Sequence, residues 1–260
     1  MTHRIVDLDA RDWEPWHPQF PGTRARTLYR DEDTGANLRQ AFLPAGFRPE
    51  TQTRHHHGAT REGVFILFGN VCYLEFDTPA DTRGRVQDFR EGFLLDRPPR
   101  SIHGPVIEAL TELGCLILEW GSGPLDFNAV PFEGDLAAWG TDFNPPHVVD
   151  SRAMAWQPHP RAPGLKIKPL STGGTDPLPG FHPVCLVHVP PGWHGPRSPQ
   201  RVAGAPHRRW LYVLHGDLPV TMTTAAPGDP EAARLAGNHY LVWSAPTDLL
   251  LGGDAVSDIG

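Results

Sequence analysis

Short apolar runs recur along the chain and are separated by turn-forming residues. The clearest runs are GVFILFG, VCYLEF, LGCLILEW, VCLVHV, WLYVLHG and HYLVW. Each run is rich in β-branched and aromatic residues and is bounded by Gly, Pro, Asp or Asn, which is typical of strands joined by turns. Residues 230–237 (PEAARLAG) suggest a single short helix. The pattern therefore predicts an all-β protein, built as a sandwich or a barrel.

The two halves of the chain share an internal repeat. LPAGF at 43–47 matches VPPGW at 189–193, and EGVFILFGNV at 62–71 matches RWLYVLHGDL at 209–218, with offsets of 146 and 147 residues. Matches that keep their order at a nearly constant offset favour a duplication. We therefore predict two domains, residues 1–150 and residues 151–260. The first would include an N-terminal arm and a connection rich in proline and aromatic residues.

Charge and cysteine content narrow the functional classes. The chain has 30 acidic and 23 basic residues and a formal net charge of −7, without a long basic run, so nucleic acid is not an expected partner. No apolar stretch approaches the roughly 18 residues of a membrane span, and the N-terminus has no hydrophobic signal region. The three cysteines lie in apolar runs, as expected for buried, reduced thiols. We predict a cytoplasmic protein that does not bind membranes.

Two separated segments carry candidate metal ligands. In HHHGATREGVFILFG, His55 and His57 lie two residues apart, so on a strand both project from the same face. A turn over residues 58–61 would then bring Glu62 back on the neighbouring strand. The segment GFLLDRPPRSIH ends in His103, which could supply a fourth ligand. Three imidazoles and one carboxylate suit divalent iron, manganese, cobalt, nickel, copper or zinc.

These two segments resemble the motifs of the cupin superfamily. The first motif, Gly-x5-His-x-His-x3-4-Glu-x6-Gly, is matched from His55 to Gly69; the second, Gly-x5-Pro-x-Gly-x2-His-x3-Asn, is matched at Gly92, Pro98 and His103. Three motif positions are occupied by other residues, namely Pro49, Arg100 and Ile107 in place of Gly, Gly and Asn. The resemblance implies a bicupin: two tandem cupin barrels, each a double-stranded β-helix or jelly roll. Its layout is similar to dioxygenase-like and anti-sigma-factor-like cupins.

The repeat predicts that the second barrel has lost the metal site. The residues 147 positions after the four candidate ligands are Val202, Gly204, Arg209 and Leu250. None of them has a side chain that replaces the histidine or glutamate at the corresponding position of the first half. The histidines of the second half form no His-x-His pair; among them are His182, His188, His194, His207, His215 and His239. We therefore predict a scaffold, dimerisation or pocket-closing role for this domain. A homodimer is expected because open barrel edges favour association.

The pattern favours a metal-dependent enzyme that acts on a small oxygenated molecule. The leading hypothesis is a non-haem iron dioxygenase, with Fe(II) as the metal, that cleaves a diketone or a hydroxyketone. Glu62 would be either a permanent ligand or a general base, and Arg61 or Arg100 would bind a substrate carboxylate. An apolar interior would be lined by residues on the Glu62 face, namely Val64, Ile66 and Phe68.

Two other functions use the same residues. An isomerase, lyase or decarboxylase with manganese, nickel or zinc would need the same four ligands, because ligand chemistry does not separate these metals. A zinc cupin could also be a sensor or binding protein without enzymatic activity.

Overall fold

We describe the protein from a computed structural model of the chain. Its described part divides into two compact units, Val6–Arg152 and Ala153–Gly260, called here the N-terminal unit and the C-terminal unit. The structure describes residues 8, 10–18, 20–50, 53–78, 81, 83–108, 110–130, 144–160, 163–171, 184–191, 210–215 and 247–252.

The N-terminal unit consists of antiparallel strands, and a 3₁₀ turn at Ser151–Ala153 marks its end. Among the described residues no helix is long and apolar enough to cross a membrane. The strands are β1 (Glu14–Pro15), β2 (Arg24–Arg30), β3 (Asn37–Leu43), β4 (Arg54–His56), β5 (Glu62–Glu75), β6 (Arg85–Arg90), β7 (Phe93–Arg97), β8 (His103–Pro105), β9 (Cys115–Gly121), β10 (Asn128–Val130) and β11 (His147–Asp150).

Strand β5 is the centre of the unit. Its first half pairs with β7 and β9, and its second half pairs with β6 and β8, so one 14-residue strand joins two sets of neighbours. The change of neighbours occurs at Gly69, which has a φ of 76°. A Cβ atom at this position would lie 1.8 Å from the carbonyl oxygen of Gly114. Glycine is required here both for the left-handed backbone and for the close approach of the two strands.

A β-bulge in β5 changes which side chains face the interior. Ile66 pairs with Ile117 and Phe68 pairs with Leu116, so β5 advances two residues where β9 advances one. The alternation of side chains therefore reverses after Ile66. Val64 and Ile66 are buried as predicted, but Phe68 is 57% exposed. The prediction that Phe68 lines the interior was wrong because the sequence pattern does not reveal the bulge.

The interior of the N-terminal unit is predominantly apolar. Full burial of one such aliphatic or aromatic side chain contributes about 1.5–3 kcal/mol to folding. The main cluster contains Phe20, Ala41, Leu43, Phe47, Val64, Ile66, Val71, Phe89, Leu95, Leu110, Cys115 and Ile117. A smaller cluster contains Leu74, Phe76, Ile102 and Val130, which surround the second half of β5.

The three cysteines are free. Cys115 and Cys185 are buried, whereas Cys72 is only partly buried. Burial raises the pKa of Cys185 to about 12, so this thiol stays protonated at neutral pH.

The C-terminal unit contains a five-stranded antiparallel sheet in the order β12-β13-β14-β16-β15. Its strands are β12 (Gln157–Pro158), β13 (Lys166–Ser171), β14 (Val184–Val189), β15 (Trp210–His215) and β16 (Thr247–Gly252). Strands β14 and β15 coincide with the predicted runs VCLVHV and WLYVLHG. The predicted helix over 230–237 and the matched positions Val202, Gly204 and Arg209 lie outside the described residues. Leu250 lies in β16.

Candidate metal centre

Three of the four predicted ligands meet in the N-terminal unit. Strand β4 pairs with β8 so that His55 lies directly opposite His103, and His57 follows β4 immediately. The ring centroids of His55 and His103 are 4.2 Å apart, and that of His57 is 5.2 Å from the first and 5.3 Å from the second. One nitrogen from each ring lies within 4.8 Å of the others. This group, the three-histidine cluster, could hold a metal ion.

Hydrogen bonds orient two of these imidazoles. Nδ1 of His57 lies 2.7 Å from the carbonyl oxygen of Asp126, and Nδ1 of His103 lies 3.3 Å from that of Ser101. A carbonyl can only accept, so Nδ1 carries a proton in both rings, and in the neutral form of each ring Nε2 keeps its lone pair. Among the described residues, Nε2 of His57 and Nδ1 of His55 have no hydrogen-bond partner although both are buried. An unpartnered buried nitrogen is costly, and an ion bound by the three-histidine cluster would satisfy one that faces it.

Burial also sets the protonation of the cluster. It lowers the pKa of His55 and of His103 well below the usual histidine range, so both rings are neutral at pH 7. Burial acts in the same direction on His57, but the nearby Glu62 carboxylate outweighs it and raises the pKa of that ring. The neutral imidazole is the form that binds metal ions.

Glu62 lies beside the cluster, at the start of β5. Its Oε1 is 3.5 Å from Nε2 of His57, and its Oε2 is 3.5 Å from Nε2 of His103. Two ligand atoms each about 2.1 Å from one ion are roughly 3–3.5 Å apart, so the carboxylate has ligand spacing to His57 and to His103, through a different oxygen in each case. Glu62 is not a member of the group of described residues whose ligand atoms all lie within 4.8 Å of one another, which contains the three histidines alone. Burial raises the pKa of Glu62, but Arg97 and His57 outweigh this and hold it well below the usual range.

The sequence did not single out Arg97, which fixes the orientation of Glu62. Its Nη1 donates to Oε2 of Glu62 at 2.8 Å, and its Nη2 donates to Oε1 of Glu75. All three side chains are almost completely buried, and the guanidinium carbon lies 5.0 Å from the ring centroid of Tyr73. One signal was available in the sequence: Arg97 alternates with Leu95 on β7 and therefore shares its interior face.

A cavity of about 40 Å³ opens beside the three-histidine cluster. Aromatic residues supply much of its wall, and the ring of Phe127 stacks on His55 with centroids 3.8 Å apart. Arg39 also lines the cavity and pairs with the buried Glu119. The complete lining consists of Trp16, His17, Phe20, Arg39, His55, His57, Glu62, Tyr73, His103, Glu119, Leu125 and Phe127. Most of these residues lie outside the two motif segments, which is why sequence spacing did not identify them.

The two arginines predicted to bind substrate do not line this cavity. Arg61 forms a bidentate ion pair with Asp96, in which Nε and Nη2 each lie 2.6 Å from a carboxylate oxygen. This ion pair occupies the edge of the Arg61 guanidinium formed by Nε and Nη2. Arg100 contributes a backbone contact instead: its N–H donates to the carbonyl oxygen of His57 at 3.2 Å.

Arg100 occupies the motif position of a glycine and keeps the glycine-like conformation, with a φ of 65°. A left-handed backbone costs an ordinary residue about 1–2 kcal/mol, a cost that glycine does not have. The gain in stability from glycine is smaller than this, because glycine loses more conformational entropy on folding. We expect Arg100→Gly to raise the free energy of unfolding by about 0.5–1 kcal/mol. Arg100→Val also removes the arginine side chain, but a β-branched residue strains this backbone conformation further. This variant should therefore have a lower free energy of unfolding than the wild type. Urea denaturation measures both. A less stable glycine variant would show that the arginine side chain outweighs the strain.

Comparisons with known proteins establish the fold. No protein-family model matches the chain, and no curated protein matches it. Among solved structures, a candidate dioxygenase from Nostoc punctiforme has 14% identity and a TM-score of 0.56, with 95% of this chain and 80% of that chain covered. The oxalate decarboxylase of Lactobacillus farciminis, solved as a formate complex, has 12% identity and a TM-score of 0.53, with 97% and 87% covered.

A third structure, a candidate glyoxylate-induced protein from Pseudomonas aeruginosa, has 12% identity and a TM-score of 0.53, with 97% of this chain and 90% of that chain covered. These neighbours are cupin-fold proteins, and the described elements of this chain are almost entirely strands. The predicted all-β cupin fold is therefore confirmed. At such low identities the likeness concerns the fold alone.

Proposed function

We propose that this protein is a metal-dependent enzyme acting on a small oxygenated molecule, with one divalent ion held by His55, His57, Glu62 and His103. The observation that carries the proposal is the three-histidine cluster, in which one nitrogen of each buried ring lies within 4.8 Å of the others. Two of the rings also have buried nitrogens without a hydrogen-bond partner among the described residues. Three neutral imidazoles and a carboxylate form a donor set suited to iron, manganese, cobalt, nickel, copper or zinc.

Within this class we favour a non-haem iron dioxygenase that cleaves a diketone or a hydroxyketone. A bound Fe(II) ion would supply both polarisation of a substrate oxygen and the electron chemistry that dioxygen requires. The protein would bind the substrate beside the three-histidine cluster, where Trp16, Phe20 and Phe127 line the cavity and limit the entry of water.

The surroundings of Glu62 favour a permanent ligand over a general base. A general base works best when its pKa is close to the operating pH. Although burial opposes it, the ion pair with Arg97 holds the pKa of Glu62 well below that range. The carboxylate would thus stay ionised and could help to hold the ion, while its Oε2 accepts the hydrogen bond from Arg97.

Metal analysis and oxygen uptake together test the proposal. Protein purified without added metal is expected to contain about one equivalent of iron per chain, since the cluster offers one site. Addition of a 1,3-diketone or a hydroxyketone should then cause oxygen uptake, measured with an oxygen electrode against protein stripped by a chelator. Tightly held zinc without oxygen uptake would contradict the dioxygenase. It would favour a lyase, a decarboxylase or a zinc-dependent sensor instead.

We also propose that the C-terminal unit is a second cupin barrel without a metal site and that the protein forms a homodimer. Support comes from the internal repeat and from the separate antiparallel sheet of this unit. Light scattering of the full chain measures the assembly, and a monomer mass would contradict the dimer.

A further inference from the structure

We infer that the cavity beside the three-histidine cluster binds an anionic substrate group and that Arg39 is the residue that recognises it. The ligand class is a small carboxylate or enolate with an apolar remainder. This inference rests on the proposed metal site, because the same cavity would contain both the ion and the anion.

Arg39 differs from the other arginines around the centre. Its side chain is 27% exposed, whereas that of Arg97 is 3% exposed and is held between two glutamates. Among the arginines of the described residues, Arg39 alone lines the cavity. Arg39 is therefore the cation that a molecule entering the cavity would meet.

The hydrogen bonds of Arg39 leave part of its guanidinium available. Nε donates to Oε2 of Glu119, and the two terminal nitrogens make no hydrogen bond to any described residue. A guanidinium has five N–H donors in a planar fork, and the edge formed by the two terminal nitrogens matches a carboxylate. Arg39 can therefore keep its ion pair with Glu119 and still bind an anion through that edge.

The charge balance also favours an anion once a metal is bound. The centre contains three carboxyl groups, Glu62, Glu75 and Glu119, against two guanidinium groups, Arg39 and Arg97. With the carboxyl groups ionised and the metal-bound histidines neutral, a divalent ion gives the centre a formal charge of one positive. Uncompensated charge in a buried site is costly. A monoanion would neutralise it.

The protonation of the carboxyl groups does not reverse this balance. Burial raises the pKa of Glu75 and of Glu119. If either group took up a proton, the metal-bound centre would become more positive. The demand for an anion would then increase.

The cavity wall limits what accompanies the anionic group. The guanidinium carbon of Arg39 lies 6.0 Å from the ring centroid of Trp16, and Phe20 and Phe127 add two further aromatic surfaces. Such walls exclude water, which strengthens an ion pair in the cavity. They offer little to a second charged or strongly polar group, so the rest of the ligand should be apolar.

Acetate and acetamide test the inference because they have nearly the same shape and differ in charge. Binding of each is followed through the visible spectrum of the cobalt-loaded protein, after the metal content of every variant has been measured. For Arg39→Gln combined with Glu119→Gln we expect acetate to bind at least about tenfold more weakly, since charge-assisted hydrogen bonds to the guanidinium are lost. Acetamide binding should stay the same. Glu119→Gln alone frees Arg39 and should tighten acetate binding.

A matched control separates charge recognition from general loosening of the fold. Arg61→Gln combined with Asp96→Asn removes another largely buried arginine–carboxylate pair, one that does not line the cavity. Acetate affinity should be unchanged in this variant. Equal weakening in both double variants, or unchanged affinity in the Arg39 double variant and in Glu119→Gln, would overturn the inference while leaving the metal site intact. Wild-type protein that binds no cobalt would instead refute the proposed metal site itself.

Discussion

Replacement of His57 by alanine is expected to remove metal binding and activity together. His57 supplies a buried Nε2 with no hydrogen-bond partner among the described residues, and its Nδ1 is fixed by the Asp126 carbonyl. Loss of an outer-shell partner alone usually costs 10–100-fold in metal affinity, so loss of a ligand should cost more than about a hundredfold. Elemental analysis of the purified variant and a turnover assay with added metal measure the two effects.

His56 provides the control for this experiment. It is the middle residue of the same three-histidine run, but strand geometry turns it away from the cluster. His56→Ala should therefore keep its full metal content. If both variants lost metal equally, the run would bind metal through its composition and not through the observed geometry.

Replacement of Arg97 by methionine should destabilise the fold severely. Arg97 separates the buried carboxylates of Glu62 and Glu75, and its side chain is 3% exposed. Removal of one partner from a buried ion pair typically costs about 3–5 kcal/mol, because the remaining charge is left without compensation. Denaturant unfolding of the metal-free protein should show a fall of this size in the free energy of unfolding.

Two further variants test whether uncompensated buried charge is the cause of the destabilisation. Glu75→Gln in the Arg97→Met background removes one of the uncompensated carboxylates and should recover part of the loss. Arg90→Met breaks an exposed pair with Asp88 and should leave stability essentially unchanged, since exposed ion pairs contribute little. A fall of less than about 1 kcal/mol for Arg97→Met would mean that the buried network is not needed to compensate charge.

The cluster could be predicted from the sequence because it depends on local geometry. His55 and His57 are two residues apart, and a strand period of two places them on the same face. His103 was predicted as a ligand from the second motif, which lies in a single segment that begins at Gly92. Pairing of β4 with β8 then brings His55 and His103 opposite each other. The all-β fold was predictable for the same reason, since short apolar runs bounded by turn residues signal strands.

The rest of the centre depends on register between distant strands, which spacing along the chain does not encode. Phe68 faces outward because of a bulge against β9. Arg39 was overlooked because its partner Glu119 is 80 residues away. The pairing of Arg61 with Asp96 was not predicted, because it depends on the packing of β7 beside β5. Each of these features requires knowledge of which strands are neighbours.

Two contacts to the histidines come from adjacent residues that belong to neither motif. Asp126 offers its carbonyl to His57, and Phe127 lies against His55. A related chain could retain every proposed ligand, carry a smaller residue in place of Phe127, and bind a metal ion less tightly. Inventories of metalloproteins compiled from ligand spacing would then overcount in this fold. Because Asp126 contributes only its backbone carbonyl, which a substitution keeps, Phe127 is the position at which protein engineers could change metal retention without altering any proposed ligand.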